Sequence, residues 1–135
     1  MQAREIMTAD PIVAQADATV GEVLRMLHDL DVRHLPIVDD GGLVGMVSDR
    51  DLRGITASLD ASDTHSLGEV LASPVAARMS SDVLTVDDTT EVSELIDLML
   101  EQKVGAVPVV DLHSGELVGI VSYVDILREL RDQLG

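Results

Sequence analysis

The chain is written twice. Met7 to Asp39 aligns without a gap onto Met79 to Asp111, an offset of 72, with identities at Met7/Met79, Asp10/Asp82, Val20/Val92, Glu22/Glu94, Val32/Val104, Pro36/Pro108, Val38/Val110 and Asp39/Asp111. A two-residue insertion raises the offset to 74, and Leu43 to Asp51 then matches Leu117 to Asp125 at six of nine positions. A unit of roughly 50 residues present only twice is too short an array for a solenoid, which needs about three repeats to bury its faces. The two copies are therefore expected to pack on each other.

Within a copy the apolar period changes in a readable order. Ile12 to Ala14 and Leu84 to Val86 are short apolar runs that predict strands, whereas Val20, Val23, Leu24, Leu27 and Val92, Leu95, Ile96, Met99 recur at helical spacing. Thr19-Val20-Gly21-Glu22 has the form of a capping box. Leu35 to Val38 and Leu43 to Val47 flank Asp39-Asp40-Gly41-Gly42, whose Asp and Gly suit the positive φ values of a hairpin turn. A second helix starts at Ser48 and again at Ser122, where Val124, Ile126, Leu127, Leu130 and Leu134 make an apolar stripe. The fold class is α+β, with two βαββα units packed in pseudo-twofold symmetry: residues 1–56, a linker with one short helix at 57–75, and residues 76–135. Pro36 and Pro108 are expected at a strand's first residue or on an edge, where a missing N–H costs nothing.

Composition removes several functions. The 135 residues carry 25 Asp and Glu against 9 Lys and Arg, a formal charge of −16, and one aromatic residue, Tyr123. Such a field repels nucleic acid, whose affinity comes mostly from phosphate neutralisation. No apolar run is long enough for a bilayer and no leader pattern is visible, which predicts a cytoplasmic protein off the membrane. Without Cys there is neither a disulfide framework nor a thiolate metal site, and His28, His65 and His113 show no ligand spacing. The chain has no nucleophile elbow and no phosphate loop, so neither acyl nor phosphoryl transfer finds its usual parts and no enzyme is expected.

The strings Val32-Arg33-His34-Leu35-Pro36-Ile37-Val38-Asp39 and Gly45-Met46-Val47-Ser48-Asp49-Arg50-Asp51-Leu52, with their second copies at Val104 to Asp111 and Gly119 to Leu127, resemble a tandem pair of cystathionine-β-synthase (CBS) domains. The resemblance covers about residues 4–53 and 76–130 and looks like the stand-alone CBS-pair proteins of prokaryotes. It implies a regulatory module that binds AMP, ADP, ATP or S-adenosylmethionine in clefts between the copies, and stacking of such modules into a homodimer. It also implies that basic residues before the Leu-Pro step, here Arg33 and His34, reach phosphates; the second copy has Gly105-Ala106 there and Val124 in place of Arg50.

The residue chemistry suits those positions. A ribose offers two adjacent hydroxyls, and one carboxylate can accept both protons, which points to Asp51 and Asp125. Ser48 and Ser122, each three residues earlier at a helix start, put a hydroxyl and free amides where a phosphate can rest. Ser-x-x-Asp is equally a capping box, so capping and ligand binding both stay open for these four residues. Arg33, Arg50 and Arg53 concentrate scarce positive charge within 21 residues, as an anion site requires. The negative field favours AMP, ADP or magnesium-bound ATP over a bare triphosphate. An interaction scaffold that keeps the fold without binding nucleotide tightly is the alternative function.

Overall fold

A computed structural model describes residues 1–57 and 64–135, and in it each sequence repeat folds in the order strand, helix, strand, strand, helix. A short helix α1 (Ala3–Ile6) and strand β1 (Thr8–Ala9) lead into β2 (Ala14–Gln15), α2 (Val20–Asp29), β3 (His34–Asp39), β4 (Gly42–Ser48) and α3 (Asp49–Ala57). After α4 (Thr64–Ala72) the second copy runs β5 (Val86–Asp87), α5 (Val92–Gln102), β6 (Ala106–Val110), β7 (Leu117–Ser122) and α6 (Tyr123–Leu134). Part of the linker expected at 57–75 lies outside the described residues; its helix is α4, which packs on α2, where Val20 N donates to Ser73 O at 2.9 Å.

Local chemistry sets these elements. The Thr19 hydroxyl accepts from Glu22 N at 3.1 Å while Glu22 Oε2 accepts from Thr19 N at 3.0 Å, so α2 starts on the capping box that the sequence predicts. It buries Val20, Val23 and Leu27. Asp40 (φ 50°) and Gly41 (φ 80°) form the two-residue turn between β3 and β4, with Asp39 paired to Gly42. The insertion in the second copy makes a longer loop, ordered by Asp111, whose Oδ1 accepts from His113 N at 2.9 Å and Ser114 N at 2.8 Å. Those bonds hold the Asp111 carboxyl below its ordinary range. Each hairpin shifts register at the same repeat position, Ile37/Val38 and Val109/Val110.

Two expectations need correction. The leading strands lie at Ala14–Gln15 and Val86–Asp87, two residues later than the apolar runs suggest, because only there does β3 or β6 offer a parallel partner: Ala14 to Ile37, Val86 to Val109. Ile12 stays 49% exposed. Pro36 and Pro108 sit inside the middle strands β3 and β6, neither first nor on an edge. On the β4 side Pro36 is tolerated because Met46, opposite it, turns both its N–H and its C=O away to Ser80, at 3.0 Å each, so the β3–β4 ladder asks nothing of the proline nitrogen.

The same bond pair shows how packing divides the chain. Strand β1, at the head of the first repeat, pairs antiparallel with β7 of the second, Thr8 with Ile120 and Ala9 with Gly119. Ser80, at the head of the second repeat, bridges Met46 of the first. The compact units are accordingly Met1–Pro11 with Leu84–Gly135, and Ile12–Val83, so the repeats have exchanged their leading segments. Each unit has its own aliphatic core, one around Val20, Val23, Leu35, Ile37, Val47 and Leu52, the other around Leu95, Met99, Val107, Val109 and Val121. Among the described residues no polar side chain is fully buried.

The exchange explains two identities of the repeat. The sulfur of Met79 lies where a β-carbon on Gly45 would project, 2.3 Å from it, and Met7 lies over Gly119 at the same 2.3 Å. An added methyl at Gly45 would also meet Ser80 O at 2.9 Å, and one at Gly119 would meet Thr8 O at 3.1 Å. Gly45→Ala should therefore cost about 1 to 3 kcal/mol by overpacking and Gly119→Ala somewhat less. Thermal melts of the two variants check this order, and an unchanged midpoint for both would remove the glycines' packing role.

Candidate functional site

The end of β4 and the start of α3 gather most of the first-copy candidates. His34 opposes Ser48 in the hairpin register, and Asp49 N donates to Arg33 O at 2.8 Å, tying the first turn of α3 to the residue ahead of β3. Ser48 Oγ accepts from Asp51 N at 3.0 Å, half of a capping box. The other half is missing, because among the described residues the Asp51 carboxylate accepts no hydrogen bond. It is exposed, and near enough to His34 to act on its charge. Burial lowers the His34 pKa, the Asp51 carboxylate opposes that, and the Arg33 guanidinium adds to the lowering.

The basic residues divide. Arg53 is held by Asp49 at 2.8 Å across one helical turn. Arg33 and Arg50 are exposed, and neither has an ion-pair partner among the described residues. Among the described residues, one end of the unit thus presents an open carboxylate, two guanidinium groups without an ion pair, a half-buried imidazole and a hydroxyl at a helix start.

The second copy repeats this backbone with different side chains. Tyr123 N donates to Gly105 O at 3.1 Å and Ala106 opposes Ser122, reproducing the first-copy frame. Here the capping box is complete: Asp125 N donates to Ser122 Oγ at 3.4 Å, and Asp125 Oδ2 accepts from Ser122 N at 2.8 Å and from Ser122 Oγ at 3.0 Å. Asp125 Oδ1 accepts from Thr8 Oγ1 at 3.3 Å. Thr8 is the site residue that sequence reasoning missed. Its signal was the duplicated hydroxyl after each repeat methionine, Met7-Thr8 and Met79-Ser80.

A surface opening of about 570 Å³ lies elsewhere, at the far end of β3, lined by Asp17, Asp39 and Asp40 with Gln15 and Pro74. Its carboxylates make it a poor seat for a phosphate. Among the described residues no group of three or more His, Asp or Glu could hold a metal ion, and no helix is long and apolar enough to cross a membrane.

Comparison with known proteins agrees with this frame. A model of the CBS domain matches residues 3–57 and again 68–132. Hypoxic response protein 1 of Mycobacterium tuberculosis is 36% identical over 131 residues, 95% of this chain and 84% of its own length. A crystal structure of hypoxic response protein I with two coordinated zinc ions superposes with a TM-score of 0.75 at 30% identity, covering 95% of this chain and 98% of that one. CBSX2 in complex with AMP gives a TM-score of 0.83 at 28% identity over 99% and 98% of the two chains. The CBS domain pair of protein MJ0100, in complex with 5′-methylthioadenosine and S-adenosyl-L-methionine, gives 0.83 at 26% identity over 98% of each.

The environment of His34 fixes the sign of one pH effect. A histidine whose folded pKa is depressed below its ordinary 6.5 leaves the unfolded chain binding more protons, so its contribution is present above that value and is lost as pH falls through it toward the folded pKa. His34→Gln should remove that part of the decline between about pH 7.5 and pH 5.5. Paired melts at the two pH values test it, and equal declines in both proteins would mean that His34 is not held neutral.

Proposed function

Since the chain belongs to the CBS domain family and carries the domain twice, we propose that it is a non-catalytic regulatory module that binds an adenosine-containing nucleotide and passes its occupancy to a partner. The observation that carries this reading is the Asp51 carboxylate, exposed and free of hydrogen bonds among the described residues, at the head of α3 beside His34 and Arg33. In this assignment Asp51 accepts the ribose hydroxyls. The phosphate meets Ser48 at the start of α3, with Arg33, His34 and Arg50 supplying charge. Ser122 and Asp125 stand at the corresponding positions of the second copy, where Gly105, Ala106 and Val124 replace the basic neighbours.

AMP or ADP fits the charge best, because a chain of net charge −16 disfavours a triphosphate unless magnesium accompanies it. Likeness to CBS pairs solved with AMP and with S-adenosyl-L-methionine supports the ligand class. Regulation requires the nucleotide to bind two states of the module with different affinity.

A second reading, an interaction scaffold, is favoured by α6. Tyr123, Leu127, Leu130 and Leu134 lie along one side of it at 48%, 62%, 50% and 79% exposure. Their spacing is the seam that two copies of one helix form, so we take self-association into a homodimer as compatible with either reading.

Two experiments separate these readings. In calorimetric titration Arg33→Ala should weaken AMP by about tenfold or more and adenosine hardly at all, since one charge-assisted bond to phosphate is lost. Equal weakening of both ligands would remove Arg33 from the phosphate. Absence of binding by AMP, ADP, ATP with magnesium and S-adenosylmethionine would leave the scaffold. Sedimentation of Leu127→Glu against the unaltered chain tests the helix face: a dimer should dissociate, and a species of 14.4 kDa from the unaltered chain at high concentration would exclude dimerisation.

A further inference from the structure

Resting on the nucleotide reading above, we infer that each chain binds one nucleoside, on Asp51, and that Thr8 holds the second-copy carboxylate of Asp125 closed to ribose. The argument is one of hydrogen-bond capacity. An ionised carboxylate has about four acceptor positions, and a ribose diol needs two of them. Three positions on Asp125 are already taken, by Ser122 N, Ser122 Oγ and Thr8 Oγ1. One remains. Among the described residues none on Asp51 is taken, so it accepts the diol without breaking any bond.

Of the three bonds on Asp125, two belong to the capping box and are rooted in the start of α6. The third comes from a distant part of the chain: Thr8 stands on β1, placed by its pairing with Ile120 and by Met7 lying over Gly119. Removing this hydroxyl alone frees the whole of Oδ1 and restores the two positions a diol requires. Thr8 is therefore a positioning residue for Asp125, and the leading segment acts as a stop on the second-copy site. Among the described residues the first copy has no such stop on Asp51, although Ser80 occupies the repeat position of Thr8.

Titration calorimetry of the full chain with adenosine and with AMP tests this, with circular dichroism melts to confirm folding. The unaltered chain should bind one equivalent, lost in Asp51→Asn and kept in Asp125→Asn. Thr8→Val, which keeps the β-branched shape on an exposed strand, should strengthen the second site by about tenfold or more, bringing the stoichiometry toward two. Adding Asp125→Asn to it should return the count to one. Thr8→Ser retains the donor and should stay at one. Two equivalents on the unaltered chain, one of them lost in Asp125→Asn, would overturn the inference while leaving the nucleotide reading intact. A folded Thr8→Val that still binds one equivalent would do the same. Absence of binding to the unaltered chain by either ligand would overturn both.

Discussion

A methionine laid across a glycine, twice over, is the contact on which the other features of this chain depend. Strands β4 and β7 would each end a sheet with an unpaired row of backbone groups, an arrangement that invites pairing with another chain. Met79 over Gly45 and Met7 over Gly119 bring Ser80 and Thr8 onto those rows, so that Met46 and Ile120 find partners. Glycine is needed because the sulfur occupies the place of a side chain. The middle strands can then accommodate Pro36 and Pro108, since the residues opposite them turn their hydrogen bonds outward.

The candidate-site end of each unit follows from the same arrangement. The β3–β4 and β6–β7 hairpins lead into α3 and α6 in matching ways, with Asp49 bonded to Arg33 and Tyr123 to Gly105. What differs is the side-chain chemistry on that shared frame. The first copy has kept Arg33, His34 and Arg50 around a carboxylate with open acceptors, while the second has Gly105, Ala106 and Val124 around a carboxylate already engaged. Duplication has preserved the backbone and let the electrostatics diverge.

The order of elements was legible because each carries a local cause: the Thr19 capping box, the helical spacing of Val20, Val23 and Leu27, and the positive-φ pair Asp40-Gly41. The leading strands were misplaced because apolar residues announce burial, whereas a strand also needs a hydrogen-bonding neighbour, and Ile12 has none in the sheet. The exchange of leading segments was illegible for a related reason. Thr8 and Ser80 each occupy the same place in their own repeat, and nothing local tells a segment which hairpin it will join. At the candidate site the Ser-x-x-Asp pattern is the same at Asp51 and Asp125, and it shows neither the completed capping box on Asp125 nor the bond from Thr8, 117 positions away.

The exchanged segments also set an order of assembly during synthesis. Ser80 pairs backward to Met46, so the unit spanning Ile12–Val83 has all its parts once residue 83 has left the ribosome. Thr8 must wait for Ile120, 112 residues later, which at about 5 to 20 residues per second is roughly 6 to 22 seconds. For the last 37 of those residues, from Val83 to Ile120, the head of the chain is an unpaired strand tethered to a finished unit. The nascent protein therefore possesses Asp51 and its surroundings before Asp125 exists.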